Sequence, residues 1–113
     1  MFSFFERTAT LSRVLDHIRK PNPAAVILDV RTPEEYDSLH LKTGLNCPIQ
    51  SLPENLERLA QYDTFFVHCA HGYRGTKACR LLAAKWPEKE ILLIAIPIEE
   101  WPHYKIPTEK GPC

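Results

Sequence analysis

Cys69 is the side chain in this sequence best placed to do chemistry. It follows the apolar run Phe65-Phe66-Val67-His68 and opens Cys69-Ala70-His71-Gly72-Tyr73-Arg74-Gly75-Thr76, after which helix-forming residues take over. The order is strand, tight loop, helix start, with a thiol as the first loop residue. A sulfur at that point faces the unpaired N–H groups of the loop and the positive end of the helix dipole. Both favour thiolate over thiol, and the thiolate is the nucleophile. Gly72 permits a backbone turn that a side chain would obstruct. Arg74 has two readings: it binds an anionic substrate, or it pairs with a carboxylate and stiffens the loop. His68 and His71 flank the thiol, either to hydrogen-bond it or to fill space.

The other chemistry-bearing residues read as structural. Cys47, in Leu45-Asn46-Cys47-Pro48-Ile49, and Cys79, on a predicted helix beside Leu81 and Leu82, are expected to be small buried hydrophobes. Cys113 is the last residue and is expected at the surface. There is no Cys-x-x-Cys pair and no Cys/His cluster at zinc spacing, and His17, His40 and His103 are scattered, so no metal is expected. Asp29 and Arg31 are expected to brace a strand end by hydrogen bonds.

Composition narrows the partners. The chain has 113 residues, 44% hydrophobic and 25% charged, which suits one domain with a modest core. Fourteen basic residues balance fourteen acidic ones, so no net field draws it to nucleic acid or an anionic membrane. Attraction for an anionic substrate must be local. No apolar stretch approaches the roughly 20 residues a bilayer span needs. The opening residues Met1-Phe2-Ser3-Phe4-Phe5-Glu6-Arg7 lack the layout of a secretory signal. Arg7, Arg13, Arg19 and Lys20 lie among hydroxyl residues as in a mitochondrial presequence, but Glu6 and Asp16 interrupt them. A cytoplasmic location with reduced cysteines is expected.

The elements that must position Cys69 follow from periodicity. Leu11, Val14, Leu15 and Ile18 make a helical stripe behind Thr10 as N-cap, and Pro21 and Pro23 stop that helix near residue 20. Residues 24–28, 65–68 and 91–96 are continuous apolar runs, as strands buried on both faces require. Thr32-Pro33-Glu34-Glu35 starts a helix with Tyr36 and Leu39 facing inward. Ser51-Leu52-Pro53-Glu54 starts another, with Ser51 as hydroxyl cap, a Glu three residues on, and Leu52, Leu56 and Leu59 as its stripe. Residues 75–86 form a helix with Ala78, Leu81, Leu82 and Lys85 at helical spacing, and residues 99–104 a closing turn anchored by Trp101. Buried strands alternating with helices make an α/β fold, with a mostly parallel central sheet and helices on both faces. Ligands of such sheets bind beyond the carboxyl ends of the strands, where Asp29 and Cys69 both fall. The ten prolines sit at element boundaries, so a single domain over 1–113 is expected.

Four segments together resemble the rhodanese-homology family in its single-domain form. Asp29-Val30-Arg31-Thr32-Pro33-Glu34-Glu35-Tyr36 is similar to the family's Asp-Val-Arg-x-x-x-Glu-Phe/Tyr stretch. His40, Asn46 and Pro48 match its His-Ile-Pro-Gly-Ala-x-Asn-x-Pro stretch. Cys69-Ala70-His71-Gly72-Tyr73-Arg74 is similar to the Cys-x-x-Gly-x-Arg active loop, and Trp101 and Ile106-Pro107 to the closing Trp and Leu-Pro. The departures are Ile96-Pro97 for the Gly-Gly before the closing Trp, Thr43-Gly44 for Gly-Ala, and Gly75 for the Ser after the loop Arg.

The resemblance implies a thiosulfate sulfurtransferase-type transferase that carries sulfane sulfur as a persulfide on Cys69. It implies a small anionic donor, a cyanide or thiol acceptor or a sulfur-acceptor protein, and no cofactor. Ala70, His71, Gly72, Tyr73 and Arg74 would bind the substrate. Two alternatives stay open. Phosphatases and arsenate reductases of related fold resemble Cys-x5-Arg, and the His68-Cys69 pair is similar to theirs, but here four residues separate Cys69 from Arg74. A non-enzymatic persulfide carrier or interaction module is the other; interaction modules of this kind typically lose the Cys.

Overall fold

The apolar runs predicted as strands lie side by side in a parallel sheet. A computed structural model of the chain describes residues 7–69 and 73–111. In chain order the elements are α1 (Leu11–Arg19), β1 (Ala25–Asp29), α2 (Pro33–Ser38), β2 (His40–Leu41) and β3 (Leu45–Asn46). A 3₁₀ helix over Ile49–Asn55 leads into α3 (Leu56–Leu59) and β4 (Thr64–His68). There follow α4 (Tyr73–Lys85), β5 (Glu90–Ile94), a 3₁₀ helix over Ile98–Tyr104 and β6 (Thr108–Glu109). Strands β3, β1, β4 and β5 form the four-stranded sheet in that order, all parallel. β2 and β6 make a separate antiparallel pair. This is the expected α/β architecture, with helices flanking the sheet.

The sheet separates two apolar layers because its strands alternate sides. Val26, Leu28, Phe65, Val67 and Leu93 pack with α4 residues Ala78, Cys79 and Leu82 and with Leu52 and Leu59. Ala25, Ile27, Phe66, Leu92 and Ile94 pack with Val14 and Ile18 of α1 and with Trp101. Every residue of β1 is buried, which explains its unbroken apolar run. Thr10 caps α1 by accepting the Arg13 N–H, as expected. Among the described residues no helix is long and apolar enough to cross a membrane.

Three expected elements differ in detail. The helix expected from Ser51 is 3₁₀ from Ile49 onward and becomes α-helical only at Leu56, although Leu52 and Leu59 are buried as predicted. Ser51 is not its cap: it lies inside the turn, its N–H on the Pro48 carbonyl at 2.9 Å. Pro53, without an N–H, cannot donate to an α ladder there. The strand expected over 91–96 ends at Ile94, since its neighbour β4 ends at His68, the residue paired with Ile94. On α4 the inward stripe is Gly75, Ala78, Cys79 and Leu82, while Lys85 is exposed. The closing turn forms as expected, and Trp101 is fully buried with its indole N–H on the Ile96 carbonyl at 3.1 Å.

Candidate functional site

The carboxyl ends of the strands bring the site residues into one row. Asn46 of β3, Asp29 of β1, His68 of β4 and Ile94 of β5 are neighbours in register across the sheet. The chain runs from β1 to β3 on one side and then to β4 on the other, so the crevice between β1 and β4 is where such sheets bind ligands. Cys69 is the first residue beyond β4 at that point.

Alternation decides which way the two residues at the end of β4 face. His68 turns toward Trp101, whose ring centroid lies 4.6 Å from its own. Cys69 turns to the opposite layer, buried with Val67, Ala78, Cys79 and Leu93. His68 is therefore an electrostatic partner of Asp29 rather than of the thiol. Its Nδ1 lies 3.4 Å from Asp29 Oδ2, and since a carboxylate only accepts, Nδ1 carries the proton. Its Nε2 is buried with no hydrogen-bond partner among the described residues.

Asp29 and Arg31 brace the strand end as expected. Arg31 grips the Asp29 carboxylate through Nε at 3.0 Å and a terminal nitrogen at 2.8 Å, and gives its backbone N–H to Oδ1 at 3.0 Å. The same terminal nitrogen reaches the Leu39 carbonyl at 2.6 Å. Asn46 closes the knot by donating to the Asp29 and Arg31 carbonyls, each at 3.0 Å. Burial by itself would push Asp29 up, but hydrogen bonds from His68 and Arg31 outweigh it and hold the carboxyl at about 2. Burial pushes His68 down, so it is neutral at pH 7.

On the thiol side, Gly75 donates its backbone N–H to the Cys69 sulfur at 2.9 Å. Gly75 is the third residue of α4, and its N–H is one of the donors a helix start leaves unsatisfied. The helix thus points both a hydrogen bond and its positive end at the sulfur. The neighbouring thiols are different. Burial, reinforced by the nearby Cys69 charge, pushes Cys79 up to about 12, and burial also raises Cys47. Both stay protonated at neutral pH and behave as the small hydrophobes expected of them.

The remaining predicted site residues fall in three places. Ala70, His71 and Gly72 lie outside the described residues, as do the first six residues and Cys113. Tyr73 begins α4 and is 79% exposed. Arg74 places both terminal nitrogens on Glu35, at 2.7 and 3.0 Å, which is the bracing geometry. Glu35 is the functional residue the sequence reading passed over, although Thr32-x-x-Glu35 is a capping-box signature. Its carboxylate accepts the Thr32 N–H at 2.9 Å while Thr32 Oγ1 accepts the Glu35 N–H, so the start of α2 is locked and holds Arg74. The Arg74 hydrogen bond pulls the Glu35 carboxyl down to about 2.

This pair is partly exposed, so its own contribution to stability is about 1 kcal/mol or less. Arg74→Ala and Glu35→Gln are each expected to lower stability slightly, and the double variant no more than the worse single. Urea unfolding of the four proteins measures this, and full additivity would mean the pair is idle.

Comparison with known proteins agrees with the architecture. The family model for the rhodanese-like domain matches residues 10–102. A thiosulfate sulfurtransferase from Pseudomonas aeruginosa superimposes with a TM-score of 0.81 over 94% of this chain at 20% identity. The present chain spans only 20% of that protein's length. A rhodanese-related protein from Thermoplasma volcanium gives a TM-score of 0.74 at 26% identity, covering 91% of this chain and 97% of the other. A rhodanese-like domain from Anabaena gives 0.75 at 21% identity, covering 93% and 80%. No curated protein matches the chain. With more than three quarters of its length inside the family model, and the fold and strand-end geometry to go with it, the chain belongs to the rhodanese-like domain family.

Proposed function

We propose that the chain is a sulfurtransferase that passes sulfane sulfur through a persulfide on Cys69. The observation that carries this reading is the Cys69 sulfur beyond the carboxyl end of β4, taking the Gly75 N–H at 2.9 Å. A preorganised amide stabilises negative charge on sulfur before and after transfer without reorganisation. The thiolate attacks the outer sulfur of thiosulfate or a related small anionic donor. The donor's S–S bond breaks, sulfite leaves with the electron pair, and a new S–S bond forms on Cys69. A thiolate or cyanide then attacks the outer sulfur of the persulfide and regenerates the Cys69 thiolate, in the two-step pattern of covalent catalysis. Ala70, His71, Gly72 and Tyr73 complete the donor-binding loop in this reading. Arg74 keeps its hydrogen bonds on Glu35 and acts on the donor through its charge. An arginine so engaged is poorly disposed to clamp a phosphoryl or arsenate group, which further favours sulfur.

The test sets two substrates side by side. After incubation with thiosulfate, the intact mass is expected to rise by one sulfur atom and return on adding cyanide. p-Nitrophenyl phosphate is expected to be left untouched. Phosphate release without sulfur transfer would replace this reading with a phosphatase. A stable persulfide that neither cyanide nor thiols remove would make the protein a carrier rather than an enzyme.

A further inference from the structure

Gly75 does more than donate its N–H. A Cβ built on it would lie 2.6 Å from Leu93 Cδ1 and 3.0 Å from the Cys69 sulfur. Ordinary contacts of this kind lie nearer 3.5–4.0 Å, so any side chain at 75 must displace something. The Leu93 backbone is poorly able to withdraw. It is paired with Val67 of β4 on one side. On the other, its N–H goes to the Arg7 carbonyl and its carbonyl accepts the Ala9 N–H, both at 2.8 Å. Its side chain is buried in the layer that holds Cys69 and Ala78.

We propose that Gly75 and Leu93 are a coupled pair that seats the Cys69 sulfur, with Leu93 filling the space a side chain at 75 would need. The bare Gly75 lets the first turn of α4 settle onto β5 and brings its N–H onto the sulfur. A methyl at 75, caught between Leu93 and Cys69, lifts the helix start or turns the sulfur aside, and either movement weakens the donor that holds the negative charge. Shortening Leu93 opens the room into which that methyl can move, away from the sulfur. Gly75 is thus a positioning residue that acts through Cys69, and Leu93 limits the room beside it. The consequence for sulfur transfer rests on the persulfide reading, whereas the coupling itself does not.

The experiment is a double-mutant cycle on Gly75→Ala and Leu93→Ala, with circular dichroism to confirm folding. The readout is the rate at which iodoacetamide labels Cys69 at pH 7, followed by peptide mass spectrometry so that no other cysteine need be replaced. Gly75→Ala is expected to slow labelling about tenfold, in line with losing a hydrogen bond to a charged group. Leu93→Ala is expected to stay within about threefold of the parent, and the double variant to return to within about threefold of Leu93→Ala. If Gly75→Ala does not fold, recovery of folding and labelling in the double variant, or in Gly75→Ala with Leu93→Val, supports the pair. Parent-like labelling in Gly75→Ala overturns the proposal, and so does the failure of both double variants, with Leu93→Ala and with Leu93→Val, to fold or to label faster than Gly75→Ala. Thiosulfate loading, measured separately, keeps the two readings apart. Rescue of labelling with no sulfur uptake by any protein would reject the sulfurtransferase and leave the coupling standing.

Discussion

Cys69→Ser is expected to abolish sulfur transfer, with a loss of at least about a thousandfold in turnover, because the proposed reaction runs through a covalent bond to its sulfur. A serine hydroxyl keeps the shape of the site and can still accept the Gly75 N–H, so the fold is expected to survive. What disappears is a sulfur, far more polarizable than a hydroxyl oxygen and the better nucleophile toward sulfur. Cys47→Ser and Cys79→Ser serve as comparisons. Both thiols are buried and raised, Cys79 to about 12, so neither supplies thiolate. Cys113→Ser completes the set. Thiosulfate loading followed by intact mass tests all four. A one-sulfur adduct that persists in Cys69→Ser would remove Cys69 from the reaction, and an adduct lost only in Cys79→Ser would move the chemistry behind α4.

The second large effect is on stability. Asp29→Ala is expected to cost about 3–5 kcal/mol, the range for removing one partner of a buried ion pair. The Arg31 side chain is only 3% exposed and would be left with an uncompensated charge. His68 would at the same time lose its acceptor. A domain of this size commonly has about 5–15 kcal/mol in hand, so the urea midpoint should drop severely. If the single variant cannot be isolated folded, Asp29→Ala with Arg31→Met removes the stranded charge and is expected to recover much of the loss. A cost below about 1 kcal/mol for Asp29→Ala would show that the network is not holding the strand end.

The same network sets the response to acid. Asp29 moves from 3.8 when exposed to about 2 in the fold, so its contribution, about 2 kcal/mol, is complete above 3.8 and is lost as pH falls through about 2. His68 is pushed below its ordinary 6.5 by burial, so it too contributes stability above 6.5 that declines as pH falls. Both groups bind more protons unfolded than folded, and both therefore make acid destabilising, His68 at the higher pH. Thermal melts at pH 7, 5 and 3 should show a falling midpoint. Asp29→Asn should flatten the part of that fall below 3.8.

Much of this molecule was legible before any coordinates. Continuous apolar runs such as Val26-Ile27-Leu28 can only be buried on both faces, and their alternation with helical stripes leaves a parallel sheet as the natural solution. The cap at Thr10 and the helix start at Thr32-Pro33 are local chemistry read within four residues. The position of Cys69 between a strand and a helix start is local as well. β2, β3 and β6 were not legible, because two-residue strands carry no period and exist only where a neighbouring backbone meets them.

What the sequence determined by itself about this protein was therefore the set of elements, their layering, and a thiol at a strand end facing helix donors. Those depend on interactions within a few residues or on a simple inside-outside pattern. The tertiary structure alone decided the partners across long separations. It turned His68 away from Cys69 and onto Asp29, 39 residues distant, because successive strand residues face opposite sides. It set Arg74 on Glu35 across the same separation, and brought Leu93 Cδ1 to 2.6 Å from where a Cβ at position 75 would lie. Such contacts are properties of the packed sheet and helices, since each partner is placed by a different element and nothing in its own neighbourhood of the chain names the other.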